Sequence, residues 1–128
     1  MKTENIIQTK SYAFAVRIVK TYQFLGQEKK EYVVSKQLLR CGTSIGANIE
    51  EALGGQSQKD FFAKLSIAYK EARESHYWIR LLKDTGYLTA IQHESLLKDA
   101  EELLKIIGSI QKTIRNNTQP NKNNTTNS

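Results

Sequence analysis

The chain has 128 residues, 39% apolar and 25% charged, with a formal net charge of +6, one cysteine and one proline. That length fits one domain with a real core and excludes two, and a lone cysteine excludes an intramolecular disulfide or a cysteine-based metal site. The positive excess favours nucleic acid or another acidic partner. No apolar run approaches the roughly 20 residues of a membrane span, and MKTENIIQ carries no apolar signal core, so the expected compartment is the cytoplasm.

A first helix is predicted over residues 5–26. Ile7, Phe14, Ile18, Tyr22 and Leu25 recur at three- and four-residue steps, with Ser11 filling one of them. Thr3 or Asn5 can cap its start and Gly26 can end it. Ala15, Val16 and Val19 widen its apolar face, while Lys10 and Arg17, seven residues apart, share another face.

After the polar connection GQEKKE, a second helix starts at Tyr32 or Ser35 and runs to Leu53. Its stripe is Val34, Leu38, Cys41, Ile45, Asn48 or Ile49, and Ala52, and Gly54-Gly55 stops it. Gly42, Ser44, Gly46 and Ala47 stand where a surface helix normally carries long side chains. A glycine inside a helix costs about 1 kcal/mol relative to alanine. Two of them four residues apart therefore imply close approach of another backbone. Asn48, among apolar neighbours, needs a partner if buried, with Glu51 or Glu71 as the expected ones, and reads as a register-fixing polar group. Cys41 reads as a small buried side chain rather than a nucleophile.

The third helix starts at Ser57, with Asp60 completing a capping-box-like pair. Phe61, Leu65, Ala68, Ala72, Ser75, Ile79 and Leu82 then alternate steps of four and three without a miss, the seam of a helix packed at a shallow angle. Gly86 ends it. Thr89 and Gln92 form the next capping box, opening a fourth helix through Arg115 with Leu97, Ala100, Leu104, Ile107, Ile110 and Ile114 as its stripe. Its acidic first half (Asp99, Glu101, Glu102) and basic second half (Lys105, Lys112, Arg115) complement the helix dipole. The expected fold is all-α, an up-down-up-down four-helix bundle over residues 1–115, followed by a disordered polar tail over 116–128.

On a helical wheel, Lys59, Lys70, Arg73 and Arg80 fall within an arc of roughly 80° opposite the third helix's seam. Tyr77 lies inside the arc and Tyr69 borders it. Cations interleaved with rings suit a phosphate backbone with stacked bases. The plainer interpretation, a solvated charged face whose tyrosines cover a subunit contact, carries more weight on sequence alone. Phe62, Tyr69 and His76 recur every seven residues on one flank, with Ile67 and Trp78 on the other. A helix apolar on three sides implies extra cover, from a second subunit meeting Phe62, Tyr69 and Trp78 or from two neighbours in one bundle.

Catalytic patterns fail on spacing. Glu74-Ser75-His76 and His93-Glu94 lack the Glu-x-x-His of a di-iron bundle. Arg73 to His76 is too short, and Arg80 to His93 too long, for a helical RNase using Arg-x(4 to 6)-His. There is no phosphate-cradling glycine loop and no nucleophile-base motif. The expectation is no enzyme, no cofactor and no metal.

SKQLLRCGTSIGANIEEA, then a polar turn and KDFFAKLSIAYKEARESHYWIRLLKDTGYL, resembles the ribosomal RNA intervening-sequence family of four-helix bundle proteins. The matching positions are Ser44 to Ile49, Glu51, Asp60-Phe61, Ala68 to Glu71 and Gly86 to Leu88. The resemblance covers residues 5–115. It implies a left-handed up-and-down bundle, often a ring-shaped homopentamer. A related branch, the accessory proteins of diversity-generating retroelements, resembles a basic pentameric barrel that binds nucleic acid and a reverse transcriptase. KEARESHYW departs from the family's commoner G-S-x-x-E stretch. The combined expectation is a non-enzymatic oligomeric scaffold that binds RNA or DNA non-specifically through Lys59, Lys70, Arg73, Tyr77 and Arg80, with Lys10 and Arg17. In this reading Gly42, Ser44, Gly46 and Asn48 serve packing. The alternative is a protein-interaction or structural assembly, a reverse-transcriptase accessory included, with no direct nucleic-acid contact.

Overall fold

Four helices make up the computed structural model, which describes residues 2–118, with side chains from residue 6 onward. They are α1 (Lys2–Lys29), α2 (Val34–Leu53), α3 (Gln58–Asp84) and α4 (Ala90–Thr118). Each connection is too short for anything but a reversal onto a neighbour. Accordingly α1 packs on α2, α2 on α3, α3 on α4 and α4 back on α1, with α1 and α3 diagonally opposed. The core runs the length of the bundle from Ile7, Phe14, Ile18 and Leu25 through Leu38, Ile45 and Ile49 to Leu65, Ile79, Leu82, Leu103 and Ile107.

The α3 seam is buried at every step from Leu65 to Leu82, with Phe61 packed half-buried at its start. Ser57 Oγ accepts the Asp60 N–H at 3.1 Å to open α3. Thr89 and Gln92 exchange both capping-box bonds, at 2.9 and 3.1 Å, to open α4. Gly86, at φ +89°, supplies the left-handed turn between them.

Four details depart from expectation. Gly26 does not end α1. The helix passes through it to Lys29, Lys30 takes the left-handed conformation at φ 55°, and Gly26 lies beside the Tyr32 ring, which a Cβ would meet at 3.5 Å in ordinary contact. Because α1 begins at Lys2, Thr3 and Asn5 lie inside it and not at its cap. On α4 the fully buried leucines are Leu96 and Leu103, while Leu97, Leu104 and Ile114 are half-buried against the core. Finally, α4 extends three residues past Arg115 to Thr118. The remainder of the expected tail, 119–128, lies outside the described residues.

The connection before α2 hides a polar device. Val33 at the cap position has no side chain to offer. The Glu31 carboxylate takes over, accepting the N–H groups of Val33, Val34 and Ser35 at 3.0, 2.8 and 2.7 Å. Glu31 is buried, and three of the donors left orphaned at a helix start are satisfied by one charge placed at the positive end of the dipole.

Candidate nucleic-acid interface

The outer face of α3 carries Lys59, Lys70, Arg73 and Arg80, all exposed, with Tyr77 half-exposed among them. None of the four cations makes an ion pair with a described residue. The reason lies on the other side of the helix. Glu71 and Glu74 point towards α2, where Arg40 bonds both, Glu71 at 3.3 Å. Trp78 Nε1–H donates to Glu74 at 2.9 Å. That bond holds the Glu74 carboxyl below the usual range, against the opposing effect of burial and with further help from Arg40. With Glu71 and Glu74 drawn to the α2–α3 seam, the outer surface of α3 is predominantly basic, its one acid there being Asp84 at the helix end, beside Lys83 at 3.7 Å.

Helix α4 behaves the same way. Asp99 bonds Arg17 at 2.6 Å, Glu102 bonds Lys10 at 3.2 Å, and Glu101 meets His76 Nε2 at 3.0 Å. Arg17 also donates to Ser95 Oγ at 2.9 Å. Lys10 and Arg17 therefore tie α1 to α4 and do not join the α3 face, which is diagonal to their helix. Also exposed on α4, with no ion pair to any described residue, are Lys98, Lys105 and Lys112, spaced seven residues apart, and Glu94 one turn before Lys98 on the same face. The seven-residue lysine repeat that makes this second row stands in the sequence, where Lys105 and Lys112 also form the basic end of the helix dipole and Lys98 does not.

The two glycines of α2 face α1, whereas Ser44 lies on another side of the helix and Ala47 is exposed. A Cβ on Gly42 would lie 2.8 and 2.9 Å from the Ile18 Cγ atoms, and one on Gly46 would lie 3.4 Å from the Ser11 carbonyl oxygen. Asn48 turns back on its own helix, donating Nδ2–H to Ser44 O at 2.9 Å and Ser44 Oγ at 3.1 Å. It reaches neither Glu51 nor Glu71. Cys41 is fully buried, and burial pushes its thiol up to about 11 against the opposing Ser75 hydroxyl bond. Among the described residues no His, Cys, Asp and Glu cluster of three gathers to hold a metal.

Phe62, Tyr69 and Trp78 each have cover within the chain. The Arg115 guanidinium lies 5.6 Å from the Phe62 centroid, and Tyr69 and Trp78 pack half-buried against the core. The exposed apolar stripe is elsewhere, at Tyr12, Val16 and Val19 on α1, which share one face at four- and three-residue spacing.

Fold and surface define a small all-helical bundle protein whose outer faces are charged. The chain belongs to the 23S rRNA-intervening sequence protein family, whose model matches residues 3–109. It is similar to a crystal structure of a protein of unknown function from the S23 ribosomal protein family of Bacteroides thetaiotaomicron. The two are 54% identical with a TM-score of 0.85, over 86% of this chain and 98% of that one. No curated protein matches the chain. Among the described residues no helix is long and apolar enough to cross a membrane.

Proposed function

We propose that this protein is a non-enzymatic helical scaffold that assembles with copies of itself and holds RNA or DNA by the phosphate backbone along the outer face of α3. The observation that carries this reading is the row of exposed cations, Lys59, Lys70, Arg73 and Arg80, none ion-paired with a described residue, beside Glu71, Glu74 and Glu101, which are turned into the seams. Binding proceeds by charge neutralisation and counterion release, with little base specificity. The family's description refers to 23S rRNA, so structured RNA is the first ligand to offer.

The test is retention of structured RNA and duplex DNA across a salt series. Affinity falls linearly in log salt, and Arg73→Ala with Arg80→Ala weakens every sequence alike, lowering the slope by about 0.9 for each phosphate no longer neutralised. No retention at low salt, or an unchanged slope in the double variant, overturns the reading. A purely structural assembly is the second reading, favoured by the exposed Tyr12, Val16 and Val19 stripe. It predicts self-association with no nucleic-acid retention at any salt.

A further inference from the structure

Tyr77 is 49% exposed, yet its ring is braced. Trp78 meets it edge-on, centroids 4.9 Å apart and planes at 71°. Trp78 is packed against the core and anchored by its bond to Glu74, which Arg40 holds from α2. A chain of interactions beginning on the neighbouring helix thus fixes a ring that faces outward. Arg73 and Arg80 flank it on the same face, and the Arg80 guanidinium lies 5.9 Å from its centroid. Phosphate neutralisation has no use for a ring. A rigid, half-bared ring between two cations is a surface on which a flat, partly charged ligand stacks at small entropic cost.

The lysine row on α4 belongs to the same surface. Phe62 with Arg115, Ser66 with Gln111, Tyr69 with Gly108 and His76 with Glu101 all obey one antiparallel register. That register sets Arg80 level with Lys98 and Arg73 level with Lys105, to within a residue. Lys98, Lys105 and Lys112 follow one another at about 10.5 Å, seven residues at the helical rise. Beside the lysine row runs a groove of about 650 Å³, lined by Tyr69 of α3 and by Lys98, Leu104 and Lys105 of α4. Its carboxylates, Glu101 and Glu102, are bound to His76 and Lys10.

Resting on the nucleic-acid reading above, we infer that this face takes an unpaired strand rather than a duplex, with one base stacked on Tyr77 between Arg73 and Arg80 and the backbone following the lysine row of α4. In a duplex the base faces are already covered by their neighbours, leaving Tyr77 nothing to stack on. A cationic track combined with an aromatic platform accepts any unstacked base.

Fluorescence anisotropy with a labelled oligopyrimidine strand of about 15 nucleotides, as RNA and as DNA, against a hairpin duplex of equal charge tests this. The strand binds more tightly than the duplex. Tyr77→Ala weakens the strand about tenfold, the loss of one stacked base, and leaves the duplex unchanged, while Tyr77→Phe retains strand affinity. Replacing Lys98, Lys105 and Lys112 together by Gln lowers the strand's salt slope by about 2. Preference for the duplex, or a Tyr77→Ala effect that is equal on both ligands or absent, overturns the inference. If the duplex still binds in a salt- and Arg73/Arg80-dependent way, the proposed function survives that failure. If neither ligand binds at low salt, both fall. Circular dichroism melts of the Ala and Phe variants separate a missing stacking surface from an unfolded protein.

Discussion

Glu31 shows how much one buried charge can do at a helix start. Burial alone would raise its pKa, but the N–H groups of Val34, Ser35 and Val33, with the Ser35 hydroxyl, hold it below its ordinary value of 4.5. A carboxyl held down in the folded state binds its proton more readily when unfolded. Its stabilisation is therefore complete above the ordinary value and lost as pH falls through the folded one. Glu31→Gln is expected to destabilise the protein by about 1–2 kcal/mol at neutral pH, as for a lost cap, and to flatten the acid limb of stability below pH 4.5. Urea unfolding over a pH series reads both effects, and a variant as stable as the parent at neutral pH would refute the assignment. Glu74, also held low, keeps part of the acid limb in the variant. Cys41, with its thiol pushed up to about 11 by burial, is expected to react with a thiol reagent only at the rate of unfolding. The cysteine's burial was legible from its place in an apolar stripe. The Glu31 cap was not, because an acid in GQEKKE reads as solvated until the fold wraps it round the start of α2.

At the scale of elements, the two glycines of α2 separate. Alanine at Gly42 would press on Ile18 at 2.8 Å, whereas alanine at Gly46 would meet Ser11 at 3.4 Å, an ordinary contact. Both substitutions gain helix propensity of about 1 kcal/mol. Only Gly42→Ala adds an overpacking cost of about 1–3 kcal/mol. Gly42→Ala is thus expected to lower the thermal midpoint and Gly46→Ala to leave it unchanged or raise it, as differential scanning calorimetry would show. Equal effects would mean that the α1–α2 seam yields as a whole. Sequence periodicity foretold close approach here but not which glycine bears it. The α3 seam was legible because its alternating four- and three-residue steps run unbroken from Phe61 to Leu82. In α4 the pairs Leu96-Leu97 and Leu103-Leu104 offer two residues per step. The choice between them depends on how far the helix is rotated about its axis, an angle that residue spacing alone does not give.

Across the whole molecule, the distribution of partners decides which surfaces are left for other molecules. The basic arc of α3 was visible on a wheel. The consumption of Lys10 and Arg17 by α4 was not, since it depends on which helices become neighbours. The same holds for apolar surface. Phe62, Tyr69 and Trp78, for which the sequence left both a second subunit and the chain's own helices open as cover, find part of it within the chain, from Arg115, from α4 or from the core. Tyr12, Val16 and Val19, at 69%, 39% and 38% exposure, do not. The proposed self-assembly, if it runs through this stripe, makes two variants behave differently. Val16→Glu with Val19→Glu places charge on the α1 face without touching the core, and is expected to reduce the mass measured by light scattering at low micromolar concentration while the melt is preserved. Phe62→Ala strips the ring beneath Arg115 and is expected to lower the melt by a few degrees with the mass unchanged. A double-glutamate variant of parental mass would remove α1 from the contact, and a parent that scatters as a monomer would remove the assembly itself. In that case the α3 face would act alone, with its avidity limited to a single strand contact per chain.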